Sequence, residues 1–156
     1  MAENTLDIVL LDETDTIGLA TRIAPHLRAG DTLLLEGQIG AGKSAFARAL
    51  IRARLGRVED VPSPTFTIVQ TYDDADCEIW HCDLYRLTHP DEALELGLED
   101  AFSSAICLIE WPDRLGSDLP ANAATLSFKA TETAHHVKIT LPDSMKSRLL
   151  RAIQDA

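Results

Sequence analysis

The segment Gly37-Gln38-Ile39-Gly40-Ala41-Gly42-Lys43-Ser44 satisfies the spacing G-x-x-x-x-G-K-[ST], and it constrains the fold more than any other part of this 156-residue chain. It follows the apolar run Thr32–Glu36 (TLLLE) and precedes Lys43–Leu55, where Phe46, Leu50 and Ala53 recur at helical spacing and Gly56 stands as a C-terminal cap. Strand, glycine loop and helix follow one another without a gap. Glycines let such a loop curl so that successive main-chain N–H groups point at a polyphosphate. The start of the helix adds unpaired N–H groups and a positive dipole end. Lys43 supplies a point charge for the outer phosphates, and the Ser44 hydroxyl is suited to Mg²⁺. The dinucleotide fingerprint G-x-G-x-x-G is excluded, because Ile39 stands where its second glycine belongs. The sequence therefore predicts a nucleoside triphosphate site carried by Gly37, Gln38, Ile39, Gly40, Ala41, Gly42, Lys43 and Ser44.

Other segments predict what surrounds this unit. Ile8, Val9, Leu10 and Leu11 read as a short strand. Asp12, Thr14 and Asp15 can cap a helix with Ile17, Ala20, Ala24 and Leu27 on one face and Gly30 as its stop. VPSPTFTIVQTY opens as a proline-rich loop and closes as a strand, EIWHCDLYRL reads as another strand, and HPDEALELGLED as a helix opened by Pro90 and Asp91. AICLIEW has the continuous apolar character of a strand buried on both faces, ended by Pro112. TLSFK and HVKITL alternate and can pair antiparallel, and a last helix starts near Pro142. Strands alternating with helices predict an α/β layer fold with a largely parallel sheet and an antiparallel edge. No repeat or linker divides the chain, so one domain over residues 1–156 is expected.

Composition narrows the function. With 14 basic and 25 acidic side chains, the net charge of −11 repels nucleic acid at long range. No apolar run exceeds the five residues Ala105–Ile109, too short for a membrane span or a secretory h-region. Three cysteines (Cys77, Cys82, Cys107) fit reduced thiols in the cytoplasm.

A Mg²⁺ ion beside Ser44 calls for one or two carboxylates, and in a parallel sheet these belong at the carboxyl ends of strands. Glu110 occupies such a position after Ala105–Ile109, where it can hold the ion or orient attacking water. Asp83 is a second candidate, on the same strand face as His81; two readings fit it equally, a site carboxylate or the ion-pair partner of Arg86. Ser63-Pro64-Thr65-Phe66 is either a loop ordered by the terminal phosphate or a plain proline turn. Trp111 follows Glu110 and packs either near a nucleotide or in the core. Arg48, Arg52, Arg54 and Arg57 read as a solvated helix face, with a protein or RNA contact as the minority reading. Cys77, His81 and Cys82 lack zinc-site spacing, and His135 and His136 point to opposite strand faces.

Taken in series, LEGQIGAGKS, VPSPTFTIVQTYD, HCDLYRL, ELGLED and ICLIEWPDRL resemble the TsaE family, formerly YjeE, of bacterial tRNA threonylcarbamoyladenosine biosynthesis. The likeness spans roughly residues 10–120, and SPTF, H-x-DLYRL and EWP in that order are specific to it. Ser44 stands where threonine is common and Cys82 where phenylalanine is usual; neither change removes a chemical group the site needs. The resemblance implies a P-loop NTPase-like three-layer sandwich that binds ATP and Mg²⁺ with weak ATPase activity of its own. It implies partner proteins TsaB and TsaD, with tRNA met only through that complex. By the same likeness Ser44 and Glu110 hold Mg²⁺, Asp83 is required for hydrolysis, Thr65 belongs to a switch-like loop, and Glu13 lies near the adenine.

Three functions compete on this sequence. The leading one is a cytoplasmic ATPase that drives a tRNA-modifying assembly, with Lys43, Asp83 and Glu110 as its catalytic set. A small-molecule kinase built on the same loop needs an arginine-rich lid that no segment after Asp83 supplies. A non-catalytic assembly switch would use ATP binding alone.

Overall fold

The computed structural model describes residues 5–38, 41–56, 61–62, 68–120 and 122–154. The expectations placed on Ile39, Gly40, Arg57 and the Ser63–Phe66 loop, including Thr65, lie outside the described residues. Among the described residues seven strands form one sheet: β1 (Thr5–Leu10), β2 (Thr32–Glu36), β3 (Val69–Asp73), β4 (Glu78–Asp83), β5 (Ala105–Glu110), β6 (Ala123–Ala130) and β7 (His135–Thr140). Five α-helices accompany them among the same residues: α1 (Glu13–Ile23), α2 (Lys43–Leu55), α3 (Asp91–Glu95), α4 (Leu98–Ser104) and α5 (Asp143–Gln154).

The strand order is β1-β7-β6-β2-β5-β4-β3. The four central strands β6, β2, β5 and β4 run parallel. β3 is antiparallel to β4 on one flank, and β7 is antiparallel to both β6 and β1 on the other. The predicted mostly parallel α/β sheet is therefore correct, with antiparallel pairing on both flanks rather than at one edge.

Alternation along the central strands builds the layers. Leu33 and Leu35 of β2 and Ile106 and Leu108 of β5 share a core with Leu19 of α1, Phe46 of α2 and Leu149 of α5. Their neighbours Leu34, Cys107 and Ile109 pack on the opposite face with Ala93 of α3 and Leu98 of α4. All six residues of β5 are buried, which is why its sequence is continuously apolar until Glu110. Burial raises the Cys82 thiol well above its ordinary value and pushes Cys107 up to about 12, which makes both unreactive.

Local chemistry sets the element ends. The Asp12 carboxylate caps α1 by accepting the Asp15 N–H, and Asp15 reciprocates toward the Leu11 N–H. α1 stops at Ile23 instead of reaching Gly30, because Pro25 lacks a donor and the chain tightens into the 3₁₀ turn Ala24–His26. Gly56 ends α2 in the left-handed conformation, as expected. The single helix predicted over HPDEALELGLED is in fact two, α3 and α4, broken at Gly97, whose φ of 93° a right-handed helix does not allow. The strand predicted through Leu87 ends at Asp83, whose carboxylate turns back to accept the Tyr85 N–H at 3.1 Å.

Two ion pairs fasten the periphery. Arg148 of α5 grips Asp31 through both guanidinium ends (2.7 and 2.9 Å), and Arg54 of α2 donates to Asp74 at 2.8 Å. Among the described residues no helix is long and apolar enough to cross a membrane.

Candidate functional site

The carboxyl ends of β2, β5 and β4 lie side by side and deliver three of the predicted groups to one place. The glycine loop leaves β2, Glu110 is the last residue of β5, and Asp83 is the last of β4, paired in register with Glu110. Each site residue leaves the sheet at the edge where doubly wound folds take ligands.

Glu110 is the centre of the polar network. It is 2% exposed, so its carboxylate needs partners to offset lost hydration. The Ser44 hydroxyl, in the first turn of α2, reaches both its oxygens at 3.0 and 3.2 Å. His81 Nε2 meets Oε2 at 2.7 Å from the neighbouring strand. In this contact Nε2 is assigned as the donor and the carboxylate oxygen as the acceptor. Nδ1 of the same ring is buried without a hydrogen-bond partner among the described residues.

Lys43 is 5% exposed and donates to the Gly37 carbonyl at 2.5 Å. Its ammonium sits 3.6 Å from the centroid of the Trp111 ring, which is tilted against Tyr85 with centroids 4.9 Å apart. Burial lowers the lysine pKa from 10.5, and the nearby charges of Glu110, Asp83 and Asp113 offset part of that loss. Trp111 holds φ 60° and ψ 52°, a left-handed conformation that costs a bulky residue on the order of 1–3 kcal/mol. The strained turn lies beside Lys43, at the end of β5.

The loop needs its glycines. A Cβ on Gly37, at φ +140°, would stand 2.5 Å from the Phe128 carbonyl oxygen of β6, so no other residue fits. Ala41 is buried behind the loop, while Gly42, Lys43 and Ser44 face outward into a cleft of about 850 Å³. Gly37, Gln38 and Ala41 shape the loop without lining that cleft.

Asp83, Glu110, Trp111 and Glu13 line the same space, so the structure gathers these predicted residues around one cavity. It also brings in residues that sequence reading assigned no site role. Thr131–His135, the tip of the β6–β7 hairpin, forms one wall, with the His135 ring 3.4 Å from the place a Cβ on Gly42 would occupy. Arg48, Tyr85 and Arg86 form part of another, and Thr16 joins Glu13 at the start of α1. Nothing local in TETAHH marks the hairpin as part of a site; only the non-local pairing of β6 with β7 puts it there. His81 was legible as facing the same way as Asp83, and that signal extends to Glu110 once the strands are seen as neighbours.

Chemically, the described residues offer a cation, the N–H groups at the start of α2, and oxygen ligands from Ser44, Glu110 and Asp83. No group of three or more His, Cys, Asp or Glu side chains suited to a metal occurs among the described residues. A cation held here would have to complete its shell from water or ligand oxygens, as small hard ions do.

Fold and cleft together define a doubly wound α/β protein with a glycine-loop cleft at the carboxyl ends of its parallel strands. The family profile described as "Threonylcarbamoyl adenosine biosynthesis protein TsaE" matches residues 10–139, and the chain belongs to the TsaE family. It is similar to the tRNA threonylcarbamoyladenosine biosynthesis protein TsaE of Rickettsia bellii, 39% identical over 121 residues covering 78% of this chain and 84% of that one. The protein of the same name from Bacillus subtilis is 36% identical over 116 residues, 74% of this chain and 72% of the relative. The crystal structure of Bacillus subtilis YdiB superposes with a TM-score of 0.80 at 27% identity, covering 97% of this chain and 95% of that one.

Proposed function

We propose that this protein binds ATP with Mg²⁺ and hydrolyses it in support of tRNA threonylcarbamoyladenosine biosynthesis, acting with the partner proteins TsaB and TsaD. The observation that carries the reading is the Ser44 hydroxyl set against the buried Glu110 carboxylate, with Lys43 one residue away in the first turn of α2. That donor set is all oxygen, which fits Mg²⁺ and suits no softer metal.

Loop and α2 N–H groups would cradle the phosphates, and Lys43 would leave the Gly37 carbonyl for the outer phosphate oxygens. That exchange replaces a neutral acceptor with an anion, so the charge that burial disfavours becomes compensated. Ser44 and Glu110 would hold Mg²⁺, which would neutralise charge developing on the phosphoryl oxygens. Asp83, 7% exposed at the end of β4, would accept a hydrogen bond from the attacking water and align it. Glu13, which lines the cleft, is the candidate contact to the base. The net charge of −11 supports a division in which partners carry the RNA and this chain carries the nucleotide.

The test is ATP hydrolysis measured alone and with TsaB and TsaD, with Lys43→Ala as control. A slow basal rate that rises when both partners are added, and is abolished in the variant, is expected. A rate unchanged by the partners would refute partner-coupled turnover, and ATP hydrolysis equal in Lys43→Ala would refute the site.

A further inference from the structure

His81 is 1% exposed and, among the described residues, only one of its two ring nitrogens has a hydrogen-bond partner. It pairs in register with Leu108, so Glu110 lies two residues further along the adjacent strand and on the same face. Its Nε2 contacts Oε2 alone at 2.7 Å, whereas the Ser44 hydroxyl spans both oxygens at 3.0 and 3.2 Å. The last torsion of a glutamate is broad, and a hydroxyl shared between both oxygens does not fix it. A donor on one oxygen does.

We propose that His81 is a positioning residue whose Nε2–H locks the Glu110 carboxylate in the orientation that faces Ser44, and thereby sets how strongly divalent cation and nucleotide bind together. This rests on the ATP–Mg²⁺ reading above. Core packing alone does not explain the residue, since an aliphatic side chain would fill the space without burying an unpartnered nitrogen. Groups that hold a metal-binding carboxylate typically govern metal affinity by 10–100-fold.

The readout is the ratio of ATP affinity in saturating Mg²⁺ to that in EDTA, by calorimetry, for the native chain and for His81→Gln, His81→Asn and His81→Leu. Glutamine carries an amide N–H at the depth of Nε2; asparagine stops short of it. The ratio cancels any loss of general fit. Expected is a ratio near native for His81→Gln and one reduced about tenfold or more for His81→Asn and His81→Leu, with EDTA affinities within about twofold of one another. If a thermal melt shows His81→Leu unfolded, the asparagine–glutamine pair decides. Equal ratios in those two, whether both native-like or both reduced, would overturn the proposal. ATP binding absent from the native chain in both conditions would overturn the functional reading and this inference together. A native Mg²⁺ gain shared by every variant would overturn this inference alone.

Discussion

Two charged clusters sit at opposite ends of the parallel strands and are built on opposite terms. Below the amino end of β2, Asp31 receives both ends of the Arg148 guanidinium and the Arg28 N–H, and Arg148 also donates to the His26 carbonyl. Asp31 holds Arg148 still more firmly protonated than an ordinary arginine. At the carboxyl end the chain again buries a cation and carboxylates, but Lys43 leans on a main-chain carbonyl and an aromatic ring while Glu110 takes a hydroxyl and an imidazole. Opposite charges meet where the task is to hold α5 to the sheet. They are kept on separate partners where the site we assign to a triphosphate must receive something from outside.

The sharpest break of that contrast is Arg148→Ala. It leaves a largely buried carboxylate without its cation and should cost roughly 3 kcal/mol of stability in a urea titration, with ATP affinity unchanged. Lys43→Ala should do the reverse, lowering ATP affinity about tenfold to thirtyfold, or roughly 1.5–2 kcal/mol, while stability at neutral pH holds or rises. A pH series then separates the two halves of the Lys43 effect. Its folded pKa is below 10.5, so between the two values the unfolded chain binds the extra proton. Native stability should gain from this group as pH rises through that window, while ATP affinity falls, and Lys43→Ala should show neither limb.

The smallest effect concerns Asp74. Burial alone would raise its carboxyl, yet hydrogen bonds from the N–H groups of Cys77 and Asp76 and from Arg54 hold it below 3.8. That contribution is present above 3.8 and is lost as pH falls through the folded value. Asp74→Asn should flatten the acid limb of a stability profile by about 1 kcal/mol and leave the cleft untouched.

Segments whose information is local were readable in advance. The strand and helix that flank the glycine loop, the Asp12 cap, the Gly56 stop and Glu110 at the end of an apolar run each follow from neighbours in the chain. Misreadings arose where one residue overrides a pattern. Pro25 ends a helix whose apolar spacing continues to Leu27, and Gly97 splits another. Asp83 closes a strand by capping its own turn although Leu84 and Leu87 keep the pattern apolar. The site was legible only as far as the strand ends. The hairpin tip at Thr131–His135, the Trp111 strain and the His81 contact depend on which strands become neighbours, and alternation within a strand does not encode that.

Among the described residues β1 hydrogen-bonds to β7 alone, and it leads directly into the α1 start that lines the cleft with Asp12 and Glu13. A ribosome releases residues 5–10 long before it decodes 135–140, so the first strand waits unpaired for its only neighbour. At roughly 5–20 residues per second that delay is on the order of ten seconds. The cleft therefore cannot close until residues 135–140 have been made, and the glycine loop itself waits for β5 and β6, the strands that flank β2.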